Sequence, residues 1–337
     1  MFSKTLLSWY QSHKRELPWR DVKNPYYVWV SEIMLQQTQV QTVIPYFNRF
    51  IEKLPDVYAL ARVSDDALFL LWEGLGYYNR ARYLKEAAKV IVDNHEGIIP
   101  NTYEALIKLK GIGPYTAGAI LSMAFNKKAI APDGNVYRIL SRYFGIHEDI
   151  RLTKTKNKLH ALNESLLIEP YNDFTQSFMD FGSLVCKKVP LCLSCPLKDG
   201  CYAYNHNLVD QLPNLHPLKP KQEITYYTFV LKDAHGNFIL SKTTKNLLKG
   251  LYTYPQIESE SLTYALEQLE EQGIHLFQEV GKKYYTHTFS HLRWHMHVIY
   301  GYAEVVGDYI KTKDLSQFPM PTAHKKIAYK RYLDSGK

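Results

Sequence analysis

Apolar residues recur every three or four positions through the first 205 residues, as in Leu84, Ala87, Ala88 and Ile91. That period places them on one stripe of an α-helix, and strict apolar–polar alternation is absent. Gly74, Gly76, Gly97, Gly111 and Gly113 punctuate the helical segments, and Pro25, Pro55 and Pro100 mark helix starts or loops. Ser64-Asp65-Asp66 reads as a helix N-cap with acid in the first turn. The texture changes near residue 206. Pro213, Pro217 and Pro220 lie in a basic, polar stretch that reads as a linker. Beyond it, residues 224–232 (ITYYTFVLK) and 238–244 (FILSKTT) are rich in β-formers and flank His235-Gly236-Asn237, a hairpin signal. Residues 261–272 read as helix, and 284–306 as strand with Gly301 between. The expected organisation is an all-α domain over 1–205, a linker over 206–222 and a smaller α+β domain over 223–337.

Length agrees with that division, because 337 residues are long for a single core. No apolar run approaches the length of a bilayer crossing, so no membrane partner is expected. The N-terminus MFSKTLLSWYQSHKRELPWR is broken by charge every few residues, unlike a signal peptide. A formal net charge of +8 suits a polyanion, and nucleic acid is the natural one. The 27 Tyr, 14 Phe and 5 Trp offer rings that stack on bases, although such rings more often fill cores. A cytoplasmic, nucleoid-associated monomer is the expectation.

All four cysteines, Cys186, Cys192, Cys195 and Cys201, fall in one loop over 186–201. Core cysteines would be scattered, and disulfide scaffolds belong to short secreted chains. One cofactor held by four thiolates fits better. Zinc and a [4Fe–4S] cluster both accept that set. Zinc ribbons usually show two separated Cys-x₂-Cys pairs. The spacing here is Cys-x₅-Cys-x₂-Cys-x₅-Cys, which favours the cluster.

Three further segments carry chemistry. Residues 109–117 (LKGIGPYTA) place Gly111 and Gly113 in a tight turn before a small-residue helix. Backbone N–H groups at such a start can hold a phosphate, while an ordinary helix–turn–helix corner is the plainer reading. Asp133 lies in Ala131-Pro132-Asp133-Gly134-Asn135-Val136, where it reads on its own as an N-cap. Glu32 sits amid Val28, Trp29, Val30, Ile33 and Leu35. That setting raises a carboxyl's pKa and keeps its proton available, unless Glu32 is simply a surface residue of an amphipathic helix.

In combination these segments are specific. Gly-Ile-Gly-Pro-Tyr-Thr-Ala-Gly, Pro-Asp-Gly-Asn-Val and the four-cysteine loop, in this order, resemble the helix-hairpin-helix DNA glycosylases that carry an iron–sulfur cluster. Leu17-Pro18-Trp19-Arg20, residues 31–40 (SEIMLQQTQV) and Gly74-Leu75-Gly76-Tyr77-Tyr78 are similar to the adenine-specific branch. The resemblance runs from residue 2 to about 205. It implies that Glu32 is the general acid on adenine N7 and that Asp133 stabilises the sugar cation or attacks it. Tyr115 and Asn135 would position groups around the sugar. Tyr115 stands where bifunctional relatives carry the Schiff-base Lys, and a phenol forms no Schiff base. Base removal without strand cleavage is therefore expected, in preference to an endonuclease III-like glycosylase/lyase or a non-catalytic DNA-binding protein.

The resemblance also implies double-stranded DNA containing A:8-oxoguanine or A:G mispairs as partner. Gln37 and Tyr77, with Leu75 beside them, would wedge into the stack, and Arg20, Thr38, Gly111 and Gly113 would meet the DNA. The second domain resembles a Nudix fold at Gly250-Leu251-Tyr252-Thr253-Tyr254-Pro255 but lacks that family's metal box. Its Thr288-Phe289-Ser290-His291 looks like an 8-oxoguanine-reading loop. Ser290 would accept the N7 hydrogen of the oxidised base, with Phe289 and His291 shaping the loop. In one departure, the family loop usually has six residues between its first two cysteines, and this chain has five.

Overall fold

Capping residues set where the helices begin. A computed structural model describes residues 1–20, 24–216, 220–244 and 247–328, so Pro217 of the expected linker lies outside the described residues. The helices are α1 (Phe2–His13), α2 (Pro25–Leu35), α3 (Val40–Lys53), α4 (Val57–Arg62), α5 (Asp65–Trp72), α6 (Asn79–His95), α7 (Tyr103–Leu106), α8 (Pro114–Ala119), α9 (Gly134–Phe144), α10 (Thr153–Ser165), α11 (Tyr171–Leu184) and α12 (Tyr202–Asn205). Asn24 caps α2 through the Tyr26 N–H, and Pro25 takes its first position. Asp56, Ser64 and Asp133 cap α4, α5 and α9 in the same way. The stripe Leu84, Ala87, Ala88 and Ile91 of α6 is buried, as its spacing requires. Pro45 lies inside α3, a position that sequence reading does not mark.

The chain divides into two units. One comprises Met1–Val63 and Arg82–Pro217, the other Ser64–Ala81 and Leu218–Lys337. Residues 64–81, expected in the helical domain, thus group with the C-terminal strands. In the first unit Phe2, Leu6 and Leu7 of α1 join Val136, Ile139 and Leu140 of α9 and Phe174, Phe178 and Phe181 of α11 in one core. Burying each such side chain stabilises by about 2 kcal/mol. This core fixes α9 and α11, the two helices that flank the candidate site.

The second unit is built on a sheet of β1 (Gln222–Lys232), β2 (Phe238–Lys242), β3 (Tyr252–Thr253), β4 (Gln256–Glu258), β5 (Ile274–Thr288), β6 (Leu292–Val305) and β7 (Ile310–Thr312). The order is β3-β2-β1-β6-β5, with β4 also on β1 and β7 on β2. β1 and β6 run parallel from Gln222↔Leu292 to Lys232↔Tyr302. Alternate residues of these strands point to opposite faces. Tyr226, Val230, Met296, Val298 and Tyr300 face a core that includes Ala323 of α14 (Thr322–Lys325). Phe229, Leu231 and Ile299 face one covered by Ala265 and Leu269 of α13 (Leu262–Glu271). The His235-Gly236-Asn237 turn is held by Asp233 Oδ1, which accepts the His235 and Asn237 N–H groups.

One expectation is corrected. Residues 284–306 are not a strand interrupted at Gly301. They comprise the end of β5, a turn at 289–291, and β6, with Gly301 inside β6. β5 bulges between Leu276 and Gln278 and again between Glu279 and Gly281. A Cβ on Gly301 would sit 2.4 Å from the Gln278 carbonyl oxygen, so the glycine serves close backbone approach, not a break. Gly301→Ala should therefore destabilise the protein by about 2 kcal/mol in urea unfolding, and an unchanged midpoint would remove this explanation.

Candidate active site

An apolar helix carries the central carboxylic acid. Val28, Trp29, Val30, Ile33 and Met34 of α2 are all buried, and Glu32 among them is 5% exposed. Glu32 nevertheless lines a cavity of about 1220 Å³ with Arg20, Gln37, Thr38, Tyr115, Asp133 and Asn135. Burial pushes its pKa up to about 7, and the nearby Asp133 charge adds to the rise. A hydrogen bond from Tyr115 and the charge of Arg20 pull the other way. Tyr115 OH donates to Glu32 Oε2 at 2.5 Å. Burial, followed by the Glu32 and Asp133 charges, holds the Tyr115 phenol well above its ordinary pKa, so it stays a donor.

Asp133 reaches the cavity from the start of α9. Its Oδ1 accepts the Asn135 and Val136 N–H groups at 2.8 and 2.9 Å, and its Oδ2 accepts Asn135 Nδ2 at 2.7 Å. The plain N-cap reading of Asp133 is thus correct and sufficient to explain its orientation. Burial raises its pKa, and these hydrogen bonds with the Arg138 charge oppose the rise. Asn135 is held in turn by Arg138, whose Nη2 donates to Asn135 Oδ1 at 2.8 Å and to the Gly182 carbonyl at 2.7 Å. A Cβ on Gly182 would lie 2.6 Å from Asn135 Cβ, so α11 approaches α9 closely there. Arg138 Nε also donates to the Cys186 carbonyl at 2.7 Å. Sequence reading missed Arg138, although it follows Asn135 by three positions on a helix and so shares its face.

Arg20 is less free than expected. Both its Nη atoms donate to Asp180, at 2.7 and 2.8 Å, and Arg15 shares the same carboxylate. Asp180, fully buried on α11, is a second residue that sequence reading missed. Burial would raise its pKa, but hydrogen bonds from Arg20 and Arg15 and the charge of Arg20 hold it below the usual carboxylate range.

The remaining candidates divide into exposed and buried sets. Gln37 is exposed and Thr38 half-buried at the end of α2, and Gln37 adopts a φ of 58°. Tyr77 is 45% exposed with a φ of 49°. Left-handed backbone at such side chains costs of order 1–3 kcal/mol and concentrates at functional sites. Leu75, between Gln37 and Tyr77 in sequence, is 6% exposed, and its side chain packs inside the protein. Gly111 and Gly113 are exposed in the turn before α8. In the second unit Ser290 and His291 are exposed at the tip between β5 and β6, and Ser290 Oγ lies 3.3 Å from His291 Nδ1. Phe289 turns inward, with its ring 4.8 Å from Trp294 and 4.6 Å from His287.

The four cysteines are unpaired and half-buried. Burial pushes Cys192 and Cys201 up and Cys195 up to about 11, with the neighbouring thiolates adding to each shift. Arg142 Nη1 stands 3.5 Å from Cys186 Sγ and also donates to the Lys187 carbonyl at 2.7 Å. Among the described residues no three Cys, His, Asp or Glu side chains are grouped to chelate a single metal ion. The four thiols are nonetheless close enough to raise one another's pKa, and thiolates are the donor set that a zinc ion and an iron–sulfur cluster both accept.

The raised Glu32 pKa has a stability consequence. A carboxyl raised in the folded state contributes its full stability below the unfolded value of 4.5 and loses it as pH rises through about 7. Relative to the parent, Glu32→Gln should therefore gain stability between these limits. Thermal unfolding at pH 5 and pH 8 would show this, and a pH-independent difference would mean that Glu32 is not buried as described.

Comparison with known proteins places the chain in a family. Residues 30–165 match the HhH-GPD superfamily of base excision DNA repair proteins, and residues 227–330 match the NUDIX domain. An adenine DNA glycosylase of Buchnera aphidicola subsp. Acyrthosiphon pisum is 36% identical over 335 residues, which cover 98% of this chain and 91% of that protein. Its counterpart from the Baizongia pistaciae subspecies is 37% identical, over 89% of this chain and 86% of its own length. The structure of a thermostable thymine-DNA glycosylase overlays with a TM-score of 0.57 at 30% identity, covering 61% of this chain and 95% of that one. With its acid-lined cavity, hairpin turn and Nudix-like second part, the chain belongs to the adenine DNA glycosylase family.

Proposed function

We propose that this protein hydrolyses the N-glycosidic bond of adenine paired with 8-oxoguanine or guanine in duplex DNA and leaves the strand uncut. The observation that carries this reading is a protonatable Glu32, bonded to Tyr115, in a cavity shared with Asp133. Adenine inside a duplex is out of reach, so the nucleotide must swing out into the cavity. Neutral adenine is a poor leaving group. With a pKa of about 7, Glu32 holds a proton on a large fraction of molecules near neutrality and can give it to N7. The sugar left behind becomes cationic, and the Asp133 carboxylate, oriented by Asn135, offsets that charge until water adds. Tyr115 keeps the acid aligned, and no amine stands at that position to form a Schiff base.

Gln37 and Tyr77 are proposed to fill the space at the opposing base, supported by their exposure and left-handed backbone. Leu75 is proposed to lie beside them, its side chain buried in this structure. Thr38, Gly111 and Gly113 are proposed to meet the DNA backbone, and Arg20 acts from its place on Asp180. Ser290 is proposed to read the N7 hydrogen of 8-oxoguanine from the exposed tip, while Phe289 anchors that tip on Trp294. Cys186, Cys192, Cys195 and Cys201 would hold a [4Fe–4S] cluster, which when bound supplies a rigid crosslink of the 186–201 loop.

A duplex with one adenine:8-oxoguanine pair tests the reaction. Incubation followed by hot alkali should cut the adenine strand, and incubation alone should leave it intact. Cutting without alkali would favour a lyase, and no cutting at all would leave only binding. Single-turnover rates should fall as pH rises through about 7, and Glu32→Gln should lose about 100-fold or more in rate while still binding the duplex. Ser290→Ala should shrink the rate ratio of 8-oxoguanine to guanine mispairs by about tenfold; an unchanged ratio would remove Ser290 from the reader role.

A further inference from the structure

The segment bearing Tyr77 belongs to the same unit as the C-terminal strands, and specific bonds tie it there. Asp66 accepts Lys242 Nζ at 2.7 Å and Tyr252 OH at 3.0 Å. Glu73 Oε1 accepts the Met320 N–H at 3.1 Å, and its Oε2 pairs with Lys325 Nζ. Tyr78 OH donates to the Met320 carbonyl at 3.3 Å. Met320 itself is 2% exposed within the core of the second unit, so Glu73 and Tyr78 grip a fixed point.

Between Glu73 and Tyr78 the backbone is left-handed at Gly74, Gly76 and Tyr77, with φ values of 103°, 69° and 49°. A tyrosine persists in that region only where its surroundings over-determine it. Inside the loop, Arg80 donates to the Leu75 and Gly76 carbonyls at 3.0 and 3.1 Å, and Trp72 Nε1 donates to Gly76 at 3.1 Å. The Arg80 guanidinium lies 5.4 Å from the Tyr77 ring centroid. These bonds shape the turn, but they are internal to the segment. Glu73 supplies the external anchor next to the first left-handed residue, with a side chain only 18% exposed.

We infer that Glu73 is a positioning residue for Tyr77, using the Met320 N–H and Lys325 to hold the turn so that the exposed ring is presented in one pose. The recognition module then carries two devices, the Ser290 tip and the mounting of the wedge. This inference rests on the reading of Tyr77 as the residue that enters the base stack.

A double-mutant cycle separates the two ideas. Affinity is measured for a duplex carrying a hydrolysis-resistant adenosine analogue opposite 8-oxoguanine. Lys325→Met removes the ion pair from the far side of the contact, at a residue whose side chain is 45% exposed, and an unchanged thermal unfolding midpoint shows that the fold is kept. Glu73→Gln keeps an acceptor for Met320 but no charge. Each should weaken binding about fivefold in the parent and less than about twofold in a Tyr77→Ala background. Equal losses in both backgrounds, or no loss in either variant, would overturn the positioning role while leaving the wedge in place. If Tyr77→Ala alone binds like the parent, the wedge reading falls, and the positioning role falls with it.

Discussion

A carboxyl taken out of water is the constraint on which the site depends. Glu32 would ionise fully at neutral pH on a solvated helix. Burial among Val28, Trp29, Val30 and Ile33 opposes ionisation, and Asp133 adds to that effect. Tyr115 and Arg20 limit the rise. The balance near neutrality therefore needs four elements at once: α2, the helix after the hairpin turn, the start of α9, and the Leu17–Arg20 segment. Asp180 on α11 secures the last of these by gripping Arg20.

α9 carries much of the remaining order. Its first residues orient Asp133, and its buried face joins α1 and α11 in the core. Two arginines one and two turns further along, Arg138 and Arg142, reach carbonyls of the cysteine loop at Cys186, Lys187 and Lys188. One helix thus serves the acid pair at its start and the thiol loop along its side. The close approach allowed by Gly182 makes this possible.

Much of this was legible in residue order. Period and caps disclosed α5, α6 and α13, and the apolar run around Glu32 disclosed a buried acid, because these depend on neighbours in sequence. Asp180 and Arg142 were not legible, since their partners lie 44 to 165 residues away and their own surroundings look ordinary; Arg138 was legible only in its bond to Asn135, three positions earlier on the same helix face. Gly301 misled for a related reason. A glycine inside a strand and one between strands read alike until the bulged neighbour is known. The burial of Leu75 was not legible either, because its motif speaks for the turn as a whole and says nothing about which side chain faces out.

The second unit is assembled from stretches separated by more than a hundred residues. A chain ended at the linker would still contain Asp66, Glu73 and Tyr78 but none of Lys242, Tyr252, Met320 or Lys325. During synthesis, the stretch around Tyr77 emerges well before its fastenings and waits without them until the last strands and α14 leave the ribosome. The two halves are thus not independent cassettes: excising the C-terminal part would also remove the fastenings of a turn encoded within the N-terminal half.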